Sequence, residues 1–137
     1  MSSSSISGLL FVAILGGCSS SAIEDLRRQS DLISSLSNSA QMALVAWRLD
    51  EVPDRYAQLT LEALQGDIED ASKDIDGTLL ELHPDIAPAI NDIVAALSAG
   101  RAQIRRQDRN AEQVSVDIGR ATGHLRDLVT AAARASS

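Results

Sequence analysis

Long seams of apolar residues at alternating four- and three-residue steps constrain this chain more than any other feature. Ala57, Leu61, Leu64, Ile68, Ala71, Ile75, Thr78 and Leu82 follow one another without a skip. That 3.5-residue period presents one stripe of a helix to partner helices. Ile86, Ile90, Ile93, Leu97, Gly100 and Ile104 form the next seam, and Ala111, Val114, Ile118, Ala121, Leu125, Leu128 and Ala132 the one after. Ahead of them, between Ala22 and about Asp50, the residues Ile23, Leu26, Ile33, Leu36, Ala40, Ala43, Leu44 and Trp47 recur at helical spacing. This first stripe is more dilute, because Ser30, Ser34, Ser35, Ser37, Asn38 and Ser39 interrupt it and compete for backbone hydrogen bonds.

The breaks between seams are short. Val52-Pro53-Asp54 stops the first segment, with Pro53 suited to the opening turn of the second. His83-Pro84-Asp85 stops the second, and Pro88 still fits the opening turn of the third if Asp85 is its cap. Asn110 with Gln113 three residues on reads as a capping box for the fourth. Helices of about 22–28 residues joined this tightly must fold back on one another. The expected fold is all-α, an up-down-up-down four-helix bundle over residues 22–135 with left-handed heptad-type packing.

The N-terminus carries a different kind of signal. Leu9-Leu10-Phe11-Val12-Ala13-Ile14-Leu15 is an apolar run, too short for the about 20 residues that cross a bilayer but matched to the core of an export signal. Met1 to Ser5 hold no Lys or Arg, so the terminal amine alone supplies positive charge there. Leu15-Gly16-Gly17-Cys18 resembles the lipobox of bacterial lipoproteins: a branched apolar residue, two small residues and a cysteine. The resemblance implies that residues 1–17 are removed, that Cys18 is acylated, and that residues 18–21 form a short tether to the membrane. It also implies a place in the cell envelope, and Ser19 after the cysteine resembles the sorting pattern for an outer membrane facing the periplasm in a diderm host. An ordinary secretory signal, or an uncleaved hydrophobic stub, with an incidental cysteine is the other reading of the same residues. Cys18 is the only cysteine, so no disulfide forms within the chain.

Removing residues 1–17 leaves enough chain for one core. A net charge of −7 argues against non-specific nucleic-acid binding and against lying flat on anionic lipid. The only aromatic residues after the signal are Trp47 and Tyr56. In an anchored bundle both fall at the end away from the membrane, together with Arg48, Arg55, Arg105, Arg106 and Arg109. Trp, Tyr and Arg are the residue types enriched at binding hot spots. The tip around Trp47, Arg48, Arg55, Tyr56, Arg105 and Arg106 is therefore a candidate surface for an envelope protein or an anionic envelope polymer. The competing reading has Trp47 plugging the core and the arginines capping helices. Glu62, Glu69 and Asp76 form one acidic row and Asp67, Asp74 and Glu81 another, read as a solvated flank, with Arg101 expected level with Asp67 and Arg105 with Glu62. Ser115, Gly119 and Gly123 form a small-residue stripe expected on the outer face of the fourth helix, where it suits a homodimer contact.

Chemical readings fare poorly. Ser72 to Gly77 imitates part of a calcium loop, but Ser72 and His83 stand where Asp and Glu are needed. Met42, His83 and His124 are the only haem-ligand candidates, and Cys-x-x-Cys-His is absent. No Glu-x-x-His pair suits a di-iron bundle. No serine is placed by the sequence to serve either histidine as a nucleophile, and His124 with Asp127 reads as a helical surface pair. Neither an enzyme, a cofactor nor a metal is expected. The expected function is that of an anchored interaction or adaptor module, similar at the level of architecture to helical pilotins, the lipoproteins that escort outer-membrane secretins. The alternative is a carrier or sensor of a small ligand, held where Ala57, Ala71, Gly100, Ala111 and Ala121 thin the core.

Overall fold

The computed structural model describes residues 2–136, with side chains described from Ser21 to Ser136. The residues read as signal, acylation site and tether, up to Cys18, Ser19 and Ser20, lie outside the described side chains. Among the described residues the fold is all-helical: α1 (Ser2–Arg48), α2 (Asp54–Lys73), α3 (Gly77–Leu82), α4 (Ile86–Arg105) and α5 (Gln113–Ala135). The five pack on one another. α1 lies against α2 and α5, α4 lies against the same two, and the short α3 touches α1. No described helix is long and apolar enough to cross a membrane.

The core follows the seams where their helices are unbroken. On α4 every seam residue from Ile86 to Ile104 is buried, Gly100 included. Gly100 is a close approach: a Cβ there would sit 2.9 Å from Cδ2 of Leu61 and 3.5 Å from Cδ2 of Leu44. The space that a glycine leaves in the seam is thus filled by leucines from α2 and α1. Ala57 and Ala71 are likewise buried in the packed core, while Ala111 and Ala121 are half-buried.

The second seam does not run through. α2 stops at Lys73, the backbone N–H groups of Asp74 and Ile75 close back on the carbonyls of Ala71 and Ser72, and Asp76 caps a new helix by accepting the Thr78 N–H at 2.8 Å. Asp is a strong N-cap and Gly77 a poor interior helix residue, so Asp76-Gly77 restarts the helix instead of continuing it. The restart rotates the stripe: Leu79 is buried, while Thr78 and Leu82, the seam residues expected there, are exposed. The register of α2 on α4 also differs from the one expected. Arg101 reaches Glu62 at 3.9 Å and Gln65 at 3.5 Å instead of lying level with Asp67.

α5 begins later than the capping-box reading places it. Its N-cap is Glu112, without a side-chain cap bond, and Asn110 caps nothing. The buried Gln103 of α4 holds the chain out of helix there, donating from Nε2 to the carbonyls of Asp108 at 2.6 Å and Ala111 at 2.9 Å. Gln113 bonds Asp117 instead, at 2.8 Å.

The serines of α1 divide: Ser35 and Ser39 are exposed and three others pack inward. Ser30, Ser34 and Ser37 are buried in the line that faces α5. Ser37 Oγ lies 2.6 Å from Thr122 Oγ1, whose own hydrogen goes to the Ile118 carbonyl at 2.7 Å. A hydroxyl has one hydrogen to give, so Ser37 is the donor between the two. This pairing rotates the small-residue stripe of α5 as well. Ser115 is buried, Gln41 of α1 donates to its carbonyl at 2.7 Å, and a Cβ on Gly119 would sit 2.9 Å from the Gln41 Nε2. Ser115 and Gly119 therefore face α1 inside the fold and not outward, and only Gly123 has open space around it.

Candidate functional site

The end of the molecule that carries the α1–α2 and α4–α5 turns is built around one carboxylate. Asp54 opens α2 directly after Pro53, whose extended backbone (φ −74, ψ 160) sets the entry angle. Three side chains from two other segments, α1 and the α4–α5 turn, converge on it. Trp47 of α1 donates its indole N–H to Oδ1 at 2.7 Å, Arg109 reaches the same oxygen at 2.9 Å, and Gln107 donates to Oδ2 at 2.6 Å. The indole bond, then the Gln107 amide and the Arg109 guanidinium, hold the carboxyl below its ordinary value, against the opposite pull of partial burial. A negative group at a helix N-terminus gains from the helix dipole too.

Both turns end their helices in the same way. Asp50 and Gln107 have positive φ, 60 and 58 degrees. The N–H of Asp50 bonds the Trp47 carbonyl and that of Glu51 the Ala46 carbonyl; Gln107 and Asp108 repeat the pattern on Ile104 and Gln103. These are two Schellman closures with non-glycine residues in the left-handed position. Such residues cost about 1–2 kcal/mol of backbone energy, and both side chains are used: Gln107 on Asp54, Asp50 on Arg109 at 3.3 Å. Arg109 is also stacked over Trp47, 4.8 Å from the ring centroid, and Arg48 fixes the loop by donating to the Arg109 carbonyl at 3.0 Å.

The six residues expected at the tip thus divide. Trp47 is fully buried and Arg48 nearly so, with Glu112 3.6 Å from its guanidinium, so both hold the end of the core together. Arg55, Tyr56, Arg105 and Arg106 are exposed. Arg27, Arg28, Arg48, Arg101, Arg109 and Arg120 each meet a carboxylate, whereas Arg55, Arg105 and Arg106 meet none among the described residues. Asp54 and Gln107 bring their helix ends together, and Gln58 donates to the Arg101 carbonyl at 3.2 Å, so the first turn of α2 lies beside the last of α4.

The chain matches no family model, no curated protein and no solved structure.

The residues that the sequence reading missed are Asp54, Gln107 and Asp50. In the sequence Asp54 stands out only as the residue after a proline; Asp is among the non-glycine residues that tolerate the left-handed region, so Asp50 carries a weak mark, whereas Gln107 carries none. Elsewhere, two surface grooves open between helices. One of about 450 Å³ lies between α4 and α5 over Ala95, Ala99, Val114 and Ala121, with Asp92 and His124 at its rim. A smaller one of about 210 Å³ lies between α1 and α5 near Arg27, Asp31 and Arg126. No group of three or more His, Cys, Asp or Glu suited to a metal occurs among the described residues.

Proposed function

We propose that this chain is a lipoprotein of the cell envelope, anchored through Cys18, whose helices form an up-down-up-down four-helix bundle and whose far tip binds a partner. In this arrangement α2 continued by α3 counts as one leg, and α1, α4 and α5 are the other three. The anchored start of α1 then stands at the membrane and the Asp54 cluster at the opposite end, on an outer or inner membrane according to the host.

One observation carries the reading. At the tip, Trp47, Arg109, Asp54 and Gln107 spend their polar groups on one another and fix the turns, while Arg55, Arg105 and Arg106 beside them have no carboxylate partner and Tyr56 is exposed. A rigid base with uncommitted guanidinium groups and an amphipathic ring is suited to docking an envelope protein or an anionic envelope polymer.

A photo-reactive residue at Tyr56 in the full chain, expressed in its native cells, should capture one distinct partner, and the same residue at Glu69 should capture none. Capture at Glu69 instead would move the working surface to the acidic flank of α2, and capture at neither would end the adaptor reading. Anchoring is tested separately: Cys18→Ser should abolish incorporation of labelled palmitate and release the chain from the membrane fraction.

A further inference from the structure

α1 carries a second seam on its outer side. Leu32, Ser35, Ser39, Met42, Ala46 and Leu49 follow at three- and four-residue steps, and all but the half-buried Ala46 are exposed. Leu32 is 47 % exposed, Met42 72 % and Leu49 65 %. Leu59 on α2 is likewise 53 % exposed. Tyr56 lies one turn nearer the tip. Leu32, Met42 and Leu49 thus leave apolar side chains uncovered along one face of α1.

The seam is also free of charge. From Leu32 to Trp47 the sequence holds no Asp, Glu, Lys or Arg, although 23 % of the chain is charged. The polar atoms it does present are partly spent, since Ser39 Oγ already donates to the Ser35 carbonyl at 3.1 Å. From these observations we infer that the outer face of α1 binds a second copy of this chain through a parallel, two-fold α1–α1 pairing. A two-fold axis along the seam sets each residue opposite its own copy. Any charge there would meet its like, and a seam without charge meets none. Small Ser35, Ser39 and Ala46 let the helices approach, and Leu32, Met42 and Leu49 fill the contact, which runs about 26 Å at 1.5 Å per residue. The parallel direction rests on the proposed anchoring, because two copies in one membrane start α1 at the same level. The pairing itself does not rest on it.

Two single variants of the full chain, Leu32→Cys and Leu49→Cys, test this in membranes under mild oxidation, with the unsubstituted chain, which keeps Cys18, as background. Each should give a reducible band at twice the monomer mass. The added substitution Met42→Glu, at a side chain too exposed to disturb the core, should weaken that band about tenfold while leaving Trp47 fluorescence unchanged. Bands no stronger than background in both single variants, or a band indifferent to Met42→Glu, would overturn the parallel pairing. A band seen only in the double variant Leu32→Cys/Leu49→Cys would overturn the parallel direction, and with it anchoring in a common membrane, while keeping the seam.

Discussion

At the scale of single residues, Asp54 has the largest consequences. It accepts from Trp47, Gln107 and Arg109, so its removal strips a partner from three donors on α1 and the α4–α5 turn. Trp47→Phe keeps an aromatic ring in the core but deletes the indole N–H and the volume of the second fused ring at a fully buried site. It should cost about 2–3 kcal/mol, the lost hydrogen bond plus a cavity, read from a urea midpoint. Asp54→Asn tests the charge. The folded carboxyl sits below its ordinary value of 3.8. A lowered acid pKa stabilises the fold above the ordinary value, and that contribution fades as pH falls through it toward the lowered one. The gap between wild type and Asp54→Asn in urea midpoint should therefore be widest at neutral pH and close below pH 3.8. A gap that persists unchanged to about pH 2 would mean that the ionised form is not what the tip holds. Asp50 poses the reverse case. Its pair with Arg109 is exposed and contributes at most about 1 kcal/mol, comparable with its left-handed backbone cost. Asp50→Gly should leave thermal stability nearly unchanged, and Asp50→Val should lower it, because a β-branched residue resists positive φ.

Among elements, glycines separate close approaches from idle positions. A Cβ on Gly66 or Gly123 meets nothing within 4 Å, whereas one on Gly100 presses on Leu61 at 2.9 Å. Gly66→Ala and Gly123→Ala should each stabilise the fold by about 0.8–1 kcal/mol through helix propensity. Gly100→Ala should gain nothing or lose about 1 kcal/mol, since overpacking offsets the same propensity. Denaturant unfolding of the three variants decides between a shared and a local effect. The helices were legible from their periods because burial repeats where a helix turns. The rotation of α5 was not: its stripe of Val114, Ala121 and Leu128 is only half-buried, and Ser115, Thr122 and Val129 take the inner positions. Polar Ser and Thr do not register as core in a sequence, yet Ser37 and Thr122 satisfy each other there.

For the whole molecule, the two ends differ in how they are held. The tip has buried Trp47 and the bonds around Asp54, while α3 at the other end buries a single residue, Leu79. Segments with few buried contacts open first. Hydrogen exchange should be faster for the amides of Thr78–Leu82 than for those of Ile93–Leu97, and equal protection would show that α3 opens only with the rest.

By itself the sequence determined that the chain is helical, where most helices lie and which apolar seam of α4 is buried, though not its buried Ala89 and Gln103, because helical period and burial are tied locally by 3.6 residues per turn. It also determined which residue types gather at the tip. Only the tertiary structure decided the register of α4 on α2, the inward turn of Ser115 and Gly119, and the division of the tip into Trp47 and Arg48 that are spent and Arg55, Tyr56, Arg105 and Arg106 that are free. Each of these depends on which partner a side chain finds across a helix interface, and spacing along one chain carries no measure of that distance.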